Sequence, residues 1–364
     1  MSAEAEPSPP PEPFRIVGAL RDEVREFVAG LGAAPYHADQ VLRWVYRAGV
    51  TCFDAMTNLA RPLRAALAEH ALLLTSSVGS VRESQDGTRK LLVSLADGAA
   101  VETVVIPDDR RHTACISSQV GCAIGCVFCA SGLGGLERDL SPGEIVEQAL
   151  HAQRQVPPGA KLTNLVVMGI GEPLMNYAAL VRALRVLTAP WGLALSPRRI
   201  TVSTVGIPAR IEQLADEALG VNLAVSLHAA DDVTRQRLVP HARPTGPLVA
   251  AARHYRRATG RAVTFEYVLV KGVNDSAGDA RALAELVGGE PILVNLLPLN
   301  PVEGLPWEEP SAERVARFAA QLRRERVRVQ VRKRRGGDIA GACGQLRRRT
   351  AAGAGPATRS QGGR

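Results

Sequence analysis

The sequence predicts an α/β protein, a partial (β/α)6-type barrel preceded by a small N-terminal helical domain and a linking β-hairpin. Three observations carry that expectation. From Thr113 to Val331, strand-length apolar runs alternate with stretches of helical period, the mark of parallel β/α units. Residues 15–75 show helical spacing alone. Residues 76–107 change to period two, with turn signals at Asp86-Gly87 and Asp97-Gly98.

Residues 1–14 are acidic and Pro-rich and are expected to be disordered. In the helical unit, Arg21–Gly32 places Val24, Phe27, Val28 and Leu31 on one face. Ala38–Ala48 repeats this with Val41, Leu42, Val45 and Tyr46. Phe27, Tyr36, Trp44, Tyr46 and Phe53 suffice for a separate mini-core. Residues 76–107 read as two or three strands of a hairpin linker. The barrel core, residues 108–335, opens with a strand at Ala114–Gln119. Ser141-Pro142-Gly143-Glu144 is a capping box with Pro at the first helical position. Further strands are expected at 162–168, 199–203, 222–227, 263–270, 292–297 and 327–331, with helices between them. Gly169-x-Gly171 is followed by Glu172-Pro173-Leu174, so the fingerprint of a dinucleotide-binding doubly wound sheet is absent. Residues 336–364 form a C-terminal loop and a basic tail.

Hydrophobic residues make up 46% and charged residues 22% of the 364, an ordinary balance for a soluble protein. No run approaches the ~18 apolar residues of a membrane span. The start lacks the basic and apolar regions of a signal peptide, so a cytoplasmic setting is expected. The net charge of +8 is unevenly placed: from Gln321 onward, thirteen Lys or Arg face only Glu325 and Asp338. That stretch carries +11 and the remainder −3, which favours a phosphate-backbone partner over a merely solvated run.

Six cysteines in a chain of this length exclude a disulfide scaffold. Four fall within CISSQVGCAIGCVFC, and Cys122, Cys126 and Cys129 stand as C-x3-C-x2-C on a loop with Gly121 and Gly125. Three thiolates so spaced can hold three corners of a [4Fe–4S] cluster and leave the fourth iron open. An open metal position admits a ligand, as in catalytic zinc sites. A structural zinc site completed by Cys115 is the bland alternative, but zinc loops usually arrive as two short pairs. C-x3-C-x2-C is the spacing of radical S-adenosylmethionine (SAM) enzymes, in which the open iron takes SAM.

On a parallel barrel the residues ending successive strands meet at one mouth. Here these are Cys115 to Cys129, Gly171-Glu172, Ser203-Thr204, Ser226-Leu227-His228 and Asn300. Their recurrence at the ends of the first four strands and the sixth points to function, since each alone could cap or turn. Cys52 reads as an inert buried thiol. Cys343, in GGDIAGACGQL, is bracketed by glycines and arginines, which predicts a mobile, accessible loop and a thiol of lowered pKa. Glu102 by itself is only a strand-end acid.

ISSQVGCAIGCVFCASG, GIGEPLMN, ITVSTVG, AVSLHA, VTFEYVLVKGVNDS and ACGQL resemble the signatures of the RlmN/Cfr radical SAM RNA methyltransferases, and the resemblance runs from about Phe14 to Leu346. It implies that Cys122, Cys126 and Cys129 bind [4Fe–4S]. It further implies that Gly171, Glu172, Ser203, Ser226, Leu227, His228 and Asn300 contact SAM. Cys343 would carry a methyl group, Cys115 would resolve the RNA adduct through a transient disulfide with Cys343, and Glu102 would accept a proton. The implied substrate is an adenine ring carbon: C2 of an adenosine in the 23S rRNA peptidyl-transferase centre, and of the tRNA adenosine 3′ to the anticodon. An external electron donor such as flavodoxin or ferredoxin and a monomeric state, without membrane contact, complete the expectation.

The sequence departs from the family at Leu136, Asp139, Ile170 and residues 241–248, which bears on substrate choice, including C8 in place of C2. Pro173 points to the RlmN branch. A non-catalytic, zinc-stabilised RNA-binding protein would explain the basic tail and the cysteine loop, but would leave the strand-end residues and Cys343 unused.

Overall fold

The computed structural model describes residues 12–347 and the backbone of Arg349 and Thr350; residues 1–11 and 351–364, with most of the expected disordered start and basic tail, lie outside it. The chain begins with β1 (Phe14–Arg15), α1 (Arg21–Gly30), α2 (Tyr36–Arg43), a π-turn at Trp44–Ala48, α3 (Arg61–His70) and β2 (Ala71–Leu72). Phe14, expected in the disordered start, pairs with Ala71 through β1 and stacks on Phe27 at 4.3 Å. The expected separate mini-core is not separate. Val24, Val28, Val41 and Tyr46 belong to one apolar core with the barrel strands, because Gly18 lies against Gly143 with no room for a Cβ. Arg182 fastens the junction through Glu23 and through Gly18 O (2.9 Å).

Three antiparallel strands follow, β3 (Ser77–Glu83), β4 (Arg89–Ser94) and β5 (Ala99–Asp108), and β5 pairs with β6 (Arg111–Ile116). The hairpin is therefore not a linker between domains. It extends the barrel sheet, since alternation in sequence marks a strand but not its partner. The short β7 (Gln119–Gly121) and β8 (Leu136–Asp139) form a two-stranded ladder of their own.

The chain then runs α4 (Pro142–Gln153), β9 (Asn164–Val167), α5 (Tyr177–Thr188), β10 (Ile200–Thr204), α6 (Pro208–Asp216) and β11 (Asn222–Ser226). It continues with α7 (Asp232–Leu238), α8 (Thr245–Thr259), β12 (Val263–Leu269), α9 (Ala277–Val287), β13 (Leu293–Pro298), α10 (Ala312–Arg324) and β14 (Arg328–Val331). Strands β6, β9, β10, β11, β12, β13 and β14 pair in that order, all parallel. This is an open β/α barrel of seven parallel strands, in which helices cover the outer face. The sequence-read cap of Ser141 with Glu144 is present on α4, and Ser276 with Asp279 caps α9 in the same way. A last short strand, β15 (Arg349–Thr350), pairs with β5. Among the described residues, no helix is long and apolar enough to cross a membrane.

Candidate active site

Strand alternation sorts the side chains. Val101, Val105, Ala114, Ile116, Val225, Phe265 and Val294 pack in the outer core, so Glu102, Cys115, Ser226 and their alternates face the lumen. The β7–β8 ladder closes the base of the loop bearing Cys122, Cys126 and Cys129. Gly121 at its start has φ +80°, and a Cβ there would stand 2.0 Å from Gly135 O, so only glycine fits. Val127 N donates to Leu238 O (3.0 Å), and Phe128 meets the His228 ring edge-on at 5.0 Å.

Burial pushes all three thiols up, Cys122 to about 11, and the charges of Cys129 and Glu172 add to the effect on Cys122 and Cys126. The three sulfurs and Glu172 thus share one field of negative potential. Such a donor set suits a cationic iron–sulfur core with thiolate ligands. Among the described residues, no three His, Cys, Asp or Glu converge tightly enough for a single metal ion. A cubane does not require that convergence, because each thiolate meets a different iron.

Gly171 has φ +108° and lies against Ser118 and Gln119, so a side chain cannot enter. Glu172 is buried. Its Oε2 accepts from Val205 N (2.7 Å) and its Oε1 from Leu174 N (3.0 Å). Ser203 and Ser226 place their hydroxyls 3.5 Å apart on β10 and β11. Leu227 is buried at the end of β11, and Arg235 Nε donates to its carbonyl (3.0 Å). His228 sits at φ +62°, outside the usual range for a non-glycine. Its Nδ1 accepts from Val268 N (3.1 Å), and burial with the nearby Arg235 lowers its pKa to about 3, which keeps the ring neutral.

The third group of residues is held together by the C-terminal loop. Asn300 Nδ2 donates to Cys343 O (2.9 Å), Ala130 N to Gly344 O (2.7 Å) and Ser131 Oγ to Leu346 O (2.9 Å). Arg347 N donates to Glu102 Oε2 (2.8 Å), and Asp338 accepts from Ser84 Oγ (2.5 Å). Leu346 packs with Val104, Cys115 and Ile170 in the lumen. The expectation of a mobile loop is corrected: bonds from the hairpin, the cysteine loop and the end of β13 fix it. The expected low thiol pKa is corrected as well. Residue Cys343 is exposed, but desolvation and Glu266 push its thiol up, and Arg332 offsets this only in part. Cys115 is buried on β6, and burial together with the Cys343 charge pushes it up too. Cys52, expected to be buried, is exposed.

Two residues escaped the sequence reading. Lys90, 5% exposed, pairs with Glu102 (2.9 Å) and donates to Ala340 O (3.0 Å). The β4–β5 register puts Lys90 across from Val104, on the face of Glu102 and Cys115, and only pairing reveals this. Arg235, buried on α7, donates to Leu227 O, Val205 O (2.5 Å) and Arg243 O, and so clamps the ends of β10 and β11. In sequence it reads as one more solvated arginine. Lys90→Met leaves Glu102 as a buried carboxylate without its ion-pair partner. A loss of about 3–5 kcal/mol in denaturant unfolding is expected, and an unchanged midpoint would show the pair to be energetically idle.

Parallel strands in barrel order, with a three-cysteine loop after the first of them, define a radical SAM enzyme. Residues 116–284 match the radical SAM superfamily, and residues 15–73 match the ribosomal RNA large subunit methyltransferase N-terminal domain. A probable dual-specificity RNA methyltransferase RlmN of Rhodopirellula baltica is 47% identical over 329 residues, 90% of this chain and 89% of that protein. A dual-specificity RNA methyltransferase RlmN of Anaeromyxobacter sp. is 46% identical over 95% of this chain and 94% of its own. The crystal structure of a radical SAM methyltransferase from Sphaerobacter thermophilus superposes with a TM-score of 0.90, at 46% identity, over 92% of this chain and 99% of that one. The chain belongs to the RlmN family. Radical SAM membership implies a [4Fe–4S] cluster and SAM.

Proposed function

We propose that the protein methylates C2 of an adenine in RNA, with an adenosine of the 23S rRNA peptidyl-transferase centre and the tRNA adenosine 3′ to the anticodon as substrates. The observation that carries the reading is the docking of the Cys343 loop over the lumen that also holds Cys115 and Glu102. The names of the relatives, RNA methyltransferases of dual specificity, support the substrate class. Cys122, Cys126 and Cys129 would hold the cluster. Gly171, Glu172, Ser203, Ser226, Leu227, His228 and Asn300 would form the SAM site. Bound there, the two cofactors supply the methyl group and the radical chemistry that an adenine ring carbon requires.

The chain's own residues do the rest. Cys343 holds the one-carbon unit as a thioether and presents it to the base. Once that carbon is joined to the ring, Cys115 thiolate would attack Cys343 sulfur; an S–S bond forms, and the S–C bond breaks with its electron pair on the carbon, which takes up a proton to become the methyl group. Glu102 takes the ring proton, held for that task by Lys90. Reduction of the disulfide resets the pair. The enzyme is read as a cytoplasmic monomer served by a flavodoxin- or ferredoxin-like donor. Mass spectrometry of rRNA and tRNA nucleosides tests the assignment. A deletion strain should lack 2-methyladenosine at both sites and regain it with this chain, whereas recovery of an 8-methyl base would overturn C2.

Basic residues past β14 would add non-specific RNA affinity. Arg334 and Arg335 are engaged by Glu309 (2.6 Å) and Asp108 (3.9 Å), so Arg332 and Lys333, both exposed, are the better phosphate contacts. Neutralising Arg332 and Lys333 should flatten the salt dependence of RNA binding by about one to two units of log–log slope. An unchanged slope would mean that they only decorate the surface.

A further inference from the structure

The contacts of Arg334 reach beyond its ion pair with Glu309. The β13–β14 ladder continues past the end of β14, since Arg332 N donates to Leu296 O (2.9 Å). That register sets Arg334 beside Leu299 and Asn300, the two residues that follow β13. Its Nη2 donates to Leu299 O (3.1 Å) and to Glu309 Oε2 (2.6 Å), and its Nε donates to Asn300 Oδ1 (2.6 Å). The chain then passes over the arginine stem at Gly337, where a Cβ would stand 2.7 Å from Arg334 Cδ. The side chains of Arg334 and Glu309 are 41% and 39% exposed, so as a charge pair they contribute little. What the planar guanidinium adds is direction, because one rigid fork meets three acceptors at once.

Asn300 is where that direction is used. Its Nδ2 donates to Cys343 O (2.9 Å). Other tethers of the C-terminal loop attach at Ala340, Gly344, Leu346 and Arg347, whereas this one attaches at Cys343 itself. An amide can turn end for end within the same space, so its orientation must come from a partner. A guanidinium only donates, so Arg334 holds the oxygen end and leaves the nitrogen facing Cys343 O. The turned amide would set two acceptors against each other and lose the bond. We propose that Arg334 is a positioning residue: by orienting the Asn300 amide it aims the Cys343 sulfur at the base. The inference rests on the reading of Cys343 as the carrier of the one-carbon unit. Arg334 acts through Asn300 and the loop backbone, not on the reacting atoms.

The test compares wild type, Arg334→Gln, Arg334→Lys, Asn300→Ala and the double variant Arg334→Gln/Asn300→Ala as cluster-loaded proteins. SAM is kept saturating, because Asn300 also belongs to the proposed SAM site. Two quantities are read: 5′-deoxyadenosine released per methylated adenosine formed, and backbone amide exchange over residues 338–346 without RNA. Arg334→Gln should raise the ratio about 10-fold, since a misaimed carrier lets SAM be cleaved without transfer, and should speed exchange of the loop. Arg334→Lys keeps the charge but not the fork, and should restore neither. The double variant should match Asn300→Ala alone, because Arg334 works through that amide. Circular dichroism and cluster absorbance establish that each variant is folded and loaded. A wild-type ratio and wild-type exchange in Arg334→Gln would make the residue a surface strut and overturn the proposal. So would full rescue by lysine, or effects that add in the double variant. Weaker RNA binding with an unchanged ratio would make Arg334 a phosphate contact, and would overturn it equally. A wild type whose Cys343 is never methylated would instead refute the carrier reading itself.

Discussion

Cys115→Ala is expected to accumulate as a covalent protein–RNA complex. The variant keeps Cys343 and its docked loop, so the thioether can form and add to the base, but nothing can attack Cys343 sulfur. Release is then blocked after the carbon–carbon bond has formed. A nuclease-sensitive band on a denaturing gel should approach stoichiometric yield, with the attachment mapped to Cys343. Cys343→Ala should give neither adduct nor methylated RNA, and the double variant should behave like Cys343→Ala alone. A simpler role for Cys115 as packing beside Val104, Ile170 and Leu346 predicts lower stability and no adduct. Free, fully methylated RNA from Cys115→Ala would refute the resolving role.

Alanine at any one of Cys122, Cys126 or Cys129 should abolish the visible absorbance of the anaerobically purified protein and reduce SAM cleavage to background. The three proposed ligands leave no spare, since C-x3-C-x2-C supplies three thiols for three irons. The loop itself should survive. Its base is held by the β7–β8 ladder, and Phe128 remains packed on His228. Thermal unfolding of cluster-free wild type and variant should therefore nearly coincide. A triple-alanine protein that still released 5′-deoxyadenosine would sink the cluster assignment. A colourless wild type carrying stoichiometric zinc would favour the RNA-binding alternative.

The barrel was legible in the sequence because its evidence is local. Each strand and helix declares its period, and the capping residues of α4 and α9 mark where helices begin. The cysteine loop was legible for the same reason. What escaped depends on partners distant in sequence. No local pattern says that β5 pairs with β6 and draws the hairpin into the barrel, or that Gly18 meets Gly143 and merges two cores. Cys343 was misjudged on the same ground. Neighbouring arginines suggested an open, activated thiol, but Asn300, Ala130, Ser131 and Glu102 tie down its loop through contacts that mostly reach backbone atoms. Such contacts are invisible to residue type. Lys90 shows the limit most plainly, since its meaning is set by register alone.

The docked C-terminal loop also has a kinetic consequence. Leu346 packs in the lumen beside Val104, Cys115 and Ile170, and Asn300 holds the Cys343 carbonyl, so under the proposed function this loop and an incoming base would compete for one space. Under the proposed function, RNA capture would require these tethers to open, so that a covered form would exchange with an uncovered one. Apparent affinity is then the intrinsic affinity scaled by the uncovered fraction. Weakening a tether remote from the chemistry, such as Asp338 with Ser84, would speed capture while loosening the hold on the reactive sulfur. On that reading, turnover would be a compromise between how often the mouth stands open and how firmly Cys343 is aimed once it shuts.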